Sequence, residues 1–382
     1  MAGMEPRYLR DSVQADLADR MVFVGGPRQV GKTTLAVSLL GEGQSESSPA
    51  YLNWDALTDR EAILAGRLPS GQARVIFDEV HKYARWRNLL KGLYDKNRTS
   101  ISFIATGSAR LDYYRKSGDS LQGRYHYYRL HPFSVTECGS DPSRALVEEL
   151  LRFGGFPEPF LRGEARFHRR WQREHSARVI YEDLRDLESV REVSMLELLL
   201  SHLPERVGSP LSVNSLSKLL QVAHGTVAHW LEIFERLYLC YRISPFGAKG
   251  IRAVRKEKKL YFWDWSRVPD RGARFENMVA GHLLKYCHFV EDTEGYGMEL
   301  RFVRDTDRRE VDFVVLRDGG AEFAVECTSG DRSASPACRY FRERTDIPRF
   351  YQVHLGERDF GNEEADTRVL PFSSFCREVA LP

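Results

Sequence analysis

The sequence predicts an α/β fold, with a parallel sheet at the front of the chain and further domains behind it. Three stretches carry this expectation. "MVFVGGPRQVGKTTLAVSLL" (21–40) reads as an apolar strand, a glycine-rich turn and an amphipathic helix. "ARVIFDEVHKY" (73–83) is a second buried strand ending in two acids. "EVDFVVLRDGGAEFAVECTSG" (310–330) is a pair of strands joined by an Asp-Gly-Gly turn. At 382 residues the chain is too long for one ordinary core, and two to four domains are expected.

Composition narrows the class. Hydrophobic content of 42% against 29% charged residues describes a soluble globular protein, and no apolar run approaches the roughly 18 residues of a membrane span. The opening "MAGMEPRYLRDSVQADLADR" is charged throughout and lacks the apolar core of a signal peptide. Cysteines 138, 240, 287, 327, 338 and 376 are scattered, with no C-x-x-C pair. That argues against a zinc site or disulfide framework and for a reducing, cytoplasmic setting. The formal net charge is only +2, so any affinity for nucleic acid must come from a local patch.

Within 21–40, Gly26-Pro27-Arg28-Gln29-Val30-Gly31-Lys32-Thr33 is a full G-x-x-x-x-G-K-T, the P-loop or Walker A pattern. Its glycines let the backbone curl so that N–H groups face phosphates, and the following helix N-terminus, with Thr34, adds favourable dipole charge. Lys32 is expected on the β- and γ-phosphates of ATP, and the Thr33 hydroxyl on Mg²⁺. Asp78 would hold Mg²⁺ through its hydration shell and Glu79 would polarise the attacking water, in the manner of a Walker B pair. A third strand, "SISFIATGSAR" (100–110), ends in Thr106-Gly107-Ser108, where Ser108 is a candidate γ-phosphate sensor. Strand ends also carry Ser and Thr for turn reasons alone. Arg124, in a Gly-Arg turn, would stabilise charge on the transferring phosphate in cis or from a neighbouring subunit; an ordinary surface arginine is the plain alternative.

With "DEVHKYARWRNLLKGLYD", "ATGSARLDYYRKSGDSLQGRYHYYRLHPFSVTE" and "GGFPEPF", these motifs resemble the AAA+-type ATPases of bacteria and archaea in which an ATPase domain is joined to a C-terminal domain of unknown function. The resemblance continues through "KLYFWDWSRVPDRGARFENMVAGHLLK" and "REVDFVV". It implies that Arg124, in its S-L-x-G-R setting, is a functional arginine. His81 departs from the pattern, which often has glutamine after the acid pair.

A helical stretch from about 144 to 205 ends at Pro204, Gly208 and Pro210. Leu211, Val213, Leu216, Leu219 and Leu220 then give one apolar helical face, and Val227, Trp230, Leu231, Phe234 and Leu237 a second, with Ala223-His224-Gly225 as the turn. Two helices and the strand-like "YLCYRISPF" describe a winged helix-turn-helix, with His224, Thr226 and His229 at the exposed start of its reading helix. Arg242, Lys249, Arg252, Arg255, Lys256, Lys258 and Lys259 face a single acid, Glu257, in the adjoining segment. A basic wing of this kind suits a DNA backbone; a protein-binding module with a solvated charge run is the alternative.

From "ARFENMVAGHLL" the pattern runs helix, strand, strand, strand, helix, strand. Glu276 opens the helix, Asp312 lies on the first strand of the acidic pair and Glu326 on the second. This arrangement is similar to the restriction-endonuclease-like nuclease fold, whose convergent carboxylates hold Mg²⁺. The lysine usual two residues after the second acid is absent, and Thr328 stands there. The site therefore reads as degenerate, unless a lysine such as Lys285 serves from the first helix. Asp312 and Glu326 pairing with Arg308 or Arg309 is the purely structural alternative.

The expected organisation is a P-loop AAA+-type ATPase domain (1–139), a helical lid (140–205), a winged helix-turn-helix (206–265) and a nuclease-like α/β domain (266–382). The expected activity is ATP hydrolysis with Mg²⁺, coupled to DNA binding or remodelling. The rivals are an ATP-regulated, metal-dependent nuclease and a nucleotide switch that holds a protein partner.

Overall fold

The structure is a computed structural model that describes residues 6–107, 121–139, 143–183, 193–247, 257–328, 330, 333–363 and 367–382. Contacts divide the chain into two units, Pro6–His131 and Pro132–Pro382.

In the first unit the apolar runs become strands β1 (Met21–Gly25), β2 (Tyr51–Asn53), β3 (Arg74–Asp78), β4 (Ser102–Thr106) and β5 (Tyr125–Arg129). They form one sheet in the order β2-β3-β4-β1-β5, every pairing parallel. Near-continuous hydrophobic strands follow from cover on both faces. That cover comes from α1 (Arg10–Asp16), α2 (Lys32–Ser38), α3 (Leu57–Leu64) and α4 (Trp86–Asn97). The last of these buries Trp86, Leu90, Leu93 and Tyr94, spaced for one helical face. Phe23 anchors the core, tilted against Trp86 at 5.6 Å and stacked on Tyr125 at 4.4 Å between ring centroids. Because the strands are parallel, their C-terminal ends share one edge. There β1 runs into the glycine loop, β3 ends in Asp78, and β4 ends beside it in Thr106.

The second unit opens with α5 (Arg144–Phe153), α6 (Pro157–Arg162), α7 (Ala165–Arg178) and α8 (Val193–His202). The expected helix pair follows as α9 (Val213–Leu220) and α10 (His224–Arg236). Its turn falls at Gln221–Ala223, earlier than the sequence suggests, with Gln221 in the left-handed region at φ 55°. Leu216 and Leu220 are buried, whereas Leu219, expected on the same face, is 49% exposed.

Strands β6 (Cys240–Pro245) and β7 (Lys259–Phe262) pair antiparallel, and they do not stand apart as a separate hairpin. Parallel pairing of Ser244 and Pro245 with Arg301 and Phe302 carries them into the C-terminal sheet. Behind the 24-residue helix α11 (Arg271–Glu294) come β8 (Met298–Arg304), β9 (Glu310–Arg317), β10 (Gly320–Thr328), α12 (Pro336–Arg342) and β11 (Phe350–His354). This is the order the sequence suggests. Two further strands, β12 (Gly361–Glu363) and β13 (Thr367–Pro371), and a last helix α13 (Phe372–Glu378) extend it. The sheet order is β12-β13-β11-β10-β9-β8-β6-β7. Helix α11 begins at Arg271, capped by the Asp270 side chain on Ala273 N–H, so Glu276 lies in its second turn instead of opening it. Among the described residues, no helix is long and apolar enough to cross a membrane.

Candidate functional site

The loop after β1 is curled by three positive φ angles in six residues: 139° at Gly26, 62° at Gln29 and 96° at Gly31. Gly26 is needed twice over, because a Cβ there would stand 2.4 Å from the Leu130 carbonyl oxygen of the chain leaving β5. Pro27 and Val30 are buried and pin the loop, Arg28 and Gln29 are half-buried, and Thr34 is exposed on the first turn of α2. The Arg7 guanidinium donates to the Val30 carbonyl at 2.8 Å and to that of His131 at 2.5 Å, tying loop and β5 together. Nothing in the local sequence signals that role for Arg7.

Lys32 is buried, and its ammonium donates to the loop's own carbonyls, Gly26 at 3.1 Å and Pro27 at 2.7 Å. The Thr33 hydroxyl donates to Asp78 Oδ2 at 2.9 Å. Asp78 also accepts the hydroxyls of Tyr51 (2.6 Å) and Thr106 (2.5 Å). Neighbouring strand ends thus aim one carboxylate at the loop. Burial, together with its bond to Asp78, raises the Tyr51 phenol far above its usual range, so it remains a donor. A hydroxyl and a carboxylate at this separation, beside a curled loop with a buried lysine, are oxygen donors suited to Mg²⁺ with a nucleotide phosphate.

Glu79 follows in a left-handed conformation at φ 57°. Its Oε2 lies 3.4 Å from the Lys82 ammonium and 3.7 Å from His81 Nε2. Burial raises its carboxyl above the usual range, against the opposing pull of Lys82 and Lys32. Lys82 is shared with Asp55 at 2.6 Å. Ser108 lies outside the described residues, and Thr106 is the polar end of β4 that reaches Asp78. Arg124 precedes β5 at the other edge of the sheet, where its guanidinium clamps Asp95 on α4 at 2.8 and 3.2 Å.

The C-terminal acids form a different arrangement. Lys259, the first residue of β7, is fully buried, with its ammonium 3.2 Å from Glu276, 2.5 Å from Glu310 and 3.4 Å from Asp312. Tyr261, on the same face of β7, donates to Glu276 at 2.7 Å, and Cys327 N–H donates to Asp312 at 2.9 Å. Burial opposes the charge on Lys259, but Glu276, Asp312 and Glu310 outweigh it and hold the ammonium well above the ordinary lysine range. Burial, then the neighbouring Asp312, pushes Glu276 up to about 7. Burial also raises Asp312, and Glu326 is raised well above its usual value by burial and then Asp312. Glu326 Oε2 is buried with no hydrogen-bond partner among the described residues.

In this arrangement the acids are held by a lysine. A lysine ammonium already stands among Glu276, Glu310 and Asp312, and no three His, Cys, Asp or Glu among the described residues are grouped to hold an ion. Thr328 bonds the Gly330 carbonyl at 2.6 Å. Lys285 is elsewhere, ion-paired with Glu137 and bonded to Ser134 at 2.8 Å. Arg309 pairs with Asp305 and Asp307.

Lys259 is therefore a correction to the expected basic wing: a fully buried ammonium held by acids cannot touch DNA. Arg242 is likewise committed, in a two-point clamp on Glu235 at 2.8 and 2.7 Å. Lys258 is exposed. Lys249, Arg252, Arg255 and Lys256 lie outside the described residues. On α10, His224 and His229 are exposed and Thr226 is half-buried.

Fold and loop together define a P-loop ATPase fold at the front of the chain, and comparison with known proteins agrees. Residues 18–139 match the family described as an AAA domain, and 144–268 and 271–375 match two domains of unknown function, DUF8612 and DUF4143. The chain joins an AAA domain to a C-terminal domain of unknown function, the combination its motifs resemble; these matches carry no nuclease assignment. Two uncharacterized proteins of Methanocaldococcus jannaschii are similar. MJ1637 is 24% identical over 82% of this chain and 76% of its own length, and MJ1544 is 22% identical over 78% and 73%. Among solved structures, Aeropyrum pernix ORC1 in complex with DNA is 13% identical, covering 73% of this chain and 94% of that one at a TM-score of 0.35. The Thermotoga maritima RuvB Holliday junction branch migration motor is 18% identical, covering 61% and 87% at 0.31. Likeness at that level assigns no activity.

Proposed function

We propose that the protein is a Mg²⁺-dependent ATPase that couples its nucleotide cycle to DNA binding. The observation that carries the ATPase reading is the 2.9 Å approach of the Thr33 hydroxyl to Asp78, beside the buried Lys32. In the cycle, Lys32 exchanges the Gly26 and Pro27 carbonyls for phosphate oxygens, while Thr33 and Asp78 hold the metal. Mg²⁺ held there would offset charge on the transferring phosphate. Glu79 releases Lys82 and orients the attacking water, taking up its proton. Arg124 acts on the phosphate of another copy.

DNA coupling is supported by the helix pair α9–α10, with His224, Thr226 and His229 at its outer start, and by the exposed Lys258. A metal-dependent nuclease is the second reading, because Lys259 brings to Glu276, Glu310 and Asp312 the ammonium that Thr328 cannot supply. A protein-binding switch is the remaining rival.

Steady-state ATP turnover with and without duplex, single-stranded and branched DNA, with Glu79→Gln as control, tests the reading. Stimulation by one DNA form that vanishes in the control supports a DNA-coupled ATPase. Turnover indifferent to all three favours the switch, and no turnover beyond the control removes the enzyme.

A further inference from the structure

Helix α7, "ARFHRRWQREHSAR", buries His168, Trp171 and His175 and turns its arginines outward. Together with the π-helical turn after it and with α8, it bounds an open groove of about 1030 Å³. Arg169, Arg170 and Arg173 line one wall and are exposed. None of the three has an ion pair or hydrogen bond among the described residues, in contrast to Arg267 in the same groove. That guanidinium is held by Asp264 at 3.2 Å and by the Gln172 carbonyl at 3.0 Å, so it braces the wall. Among the described residues, the acids of the lining are Glu174, 3.8 Å from Arg178, and Glu197 on α8. Ile180 and Leu200 at the base are buried, so the groove presents guanidinium outward.

We propose that this groove binds the phosphate backbone of duplex DNA, without regard to sequence. Three unpaired guanidiniums on one helix face are a surface that a polyanion would neutralise, and arginine matches phosphate oxygens through its planar fork. Arg169 and Arg173 are one turn apart, roughly 6 Å along the helix axis at 1.5 Å per residue. That is close to the axial rise of two phosphates on one strand, roughly 7 Å at 3.4 Å each. Among the described residues that line the groove none is aromatic, which favours a duplex over the base stacking that marks single-strand sites. The contact surface thus lies on α7, and the signal for it in the sequence is five arginines in fourteen residues of that helix.

This inference rests on the DNA reading above, and the test separates the two. A fluorescent duplex of mixed sequence is titrated against the full chain at several salt concentrations. The variants are R169Q/R170Q/R173Q and a control, R85Q/K96Q/R98Q, which removes equal charge from exposed residues elsewhere. Loss of three phosphate contacts should weaken binding about tenfold or more and flatten the slope of log K on log salt by about 3, while the control keeps the wild-type slope. Matching unfolding curves and ATP turnover without DNA show that the variant is folded. Wild-type affinity and slope in the α7 variant would overturn the groove and leave the DNA reading to α10. Wild-type protein that binds no duplex would overturn both. Displacement of duplex by polyglutamate of equal charge at equal concentration would overturn DNA as the ligand.

Discussion

A lysine can be read from a sequence as a charge, but not as a buried one. Lys32, Thr33 and Asp78 were legible because phosphate binding ties residue type to spacing. Lys259 sits in a run of basic residues and reads as one more solvated cation, although K-x-Y places Lys259 and Tyr261 on one face of a strand. Only the sheet reveals that this face meets Glu276 and Asp312, which are distant in the chain. The consequence is measurable. With Glu276 raised from 4.5 to about 7 in the folded state, that state binds the proton more tightly than the unfolded chain does. Its contribution to stability is full below about 4.5 and is lost as pH rises through about 7. The limit is about 3 kcal/mol at 1.36 kcal/mol per unit. Urea unfolding should show this decline between pH 5 and 8, and Glu276→Gln should flatten it; an unchanged profile would refute the assignment. Lys259→Met leaves the carboxylates without their cation and should cost about 3–5 kcal/mol at pH 8, but much less at pH 5, where they take up protons. Glu79→Gln acts on chemistry instead. ATP turnover should fall about 100-fold or more while a fluorescent ATP analogue still binds, because the lost group is the base and not the phosphate cradle.

At the scale of elements, β1, β3 and β4 were the readable strands of the front unit, because each is an apolar run that ends at the glycine loop or a polar residue; β2, three residues long, and β5, with His126 inside it, carry no such run. The unit's order in space was not readable: β4 lies between β1 and β3, so the loop and Asp78 leave strands that are not adjacent, and the Thr33 hydroxyl spans that gap to Asp78 while Thr106 of β4 holds the same carboxylate. The β6–β7 hairpin misled in the opposite direction. Local pattern suggests a free wing, and the pairing of β6 with β8 that draws it into the C-terminal sheet is a long-range contact with no local signature. The glycine loop is an element whose shape can be broken by one methyl group. Gly26 has φ 139° and a backbone oxygen 2.4 Å from where a Cβ would stand, so Gly26→Ala must shift either the loop or the chain after β5. Calorimetry should find nucleotide binding lost, with destabilisation of about 1–3 kcal/mol from backbone strain. Retained ATP affinity would show that the cradle tolerates a different curl.

For the molecule as a whole, the parallel sheet decides how many copies the chemistry needs. β5 runs alongside β1 with Tyr125 opposite Met21, so Arg124 stands at the start of the strands and the phosphate loop at their end. Four residue steps at about 3.3 Å put roughly 13 Å of strand between the two edges. The Arg124 side chain also turns to Asp95 on α4. Within one chain it is therefore remote from the phosphate that Lys32 and Thr33 would hold, and a role in hydrolysis requires a second copy joined head to tail. That requirement is tested by mixing two inactive proteins. Lys32→Ala has no site but keeps its arginine, and Arg124→Ala has a site but no arginine to lend. Each alone should turn over no more ATP than Glu79→Gln. In an equimolar mixture, about a quarter of the contacts join an intact site to an intact arginine, as random head-to-tail assembly dictates. Turnover should return to about that fraction of wild type and fall on dilution as the copies separate. A mixture as inactive as its parts, or Arg124→Ala alone with wild-type turnover, would remove Arg124 from the reaction and leave it as the partner of Asp95.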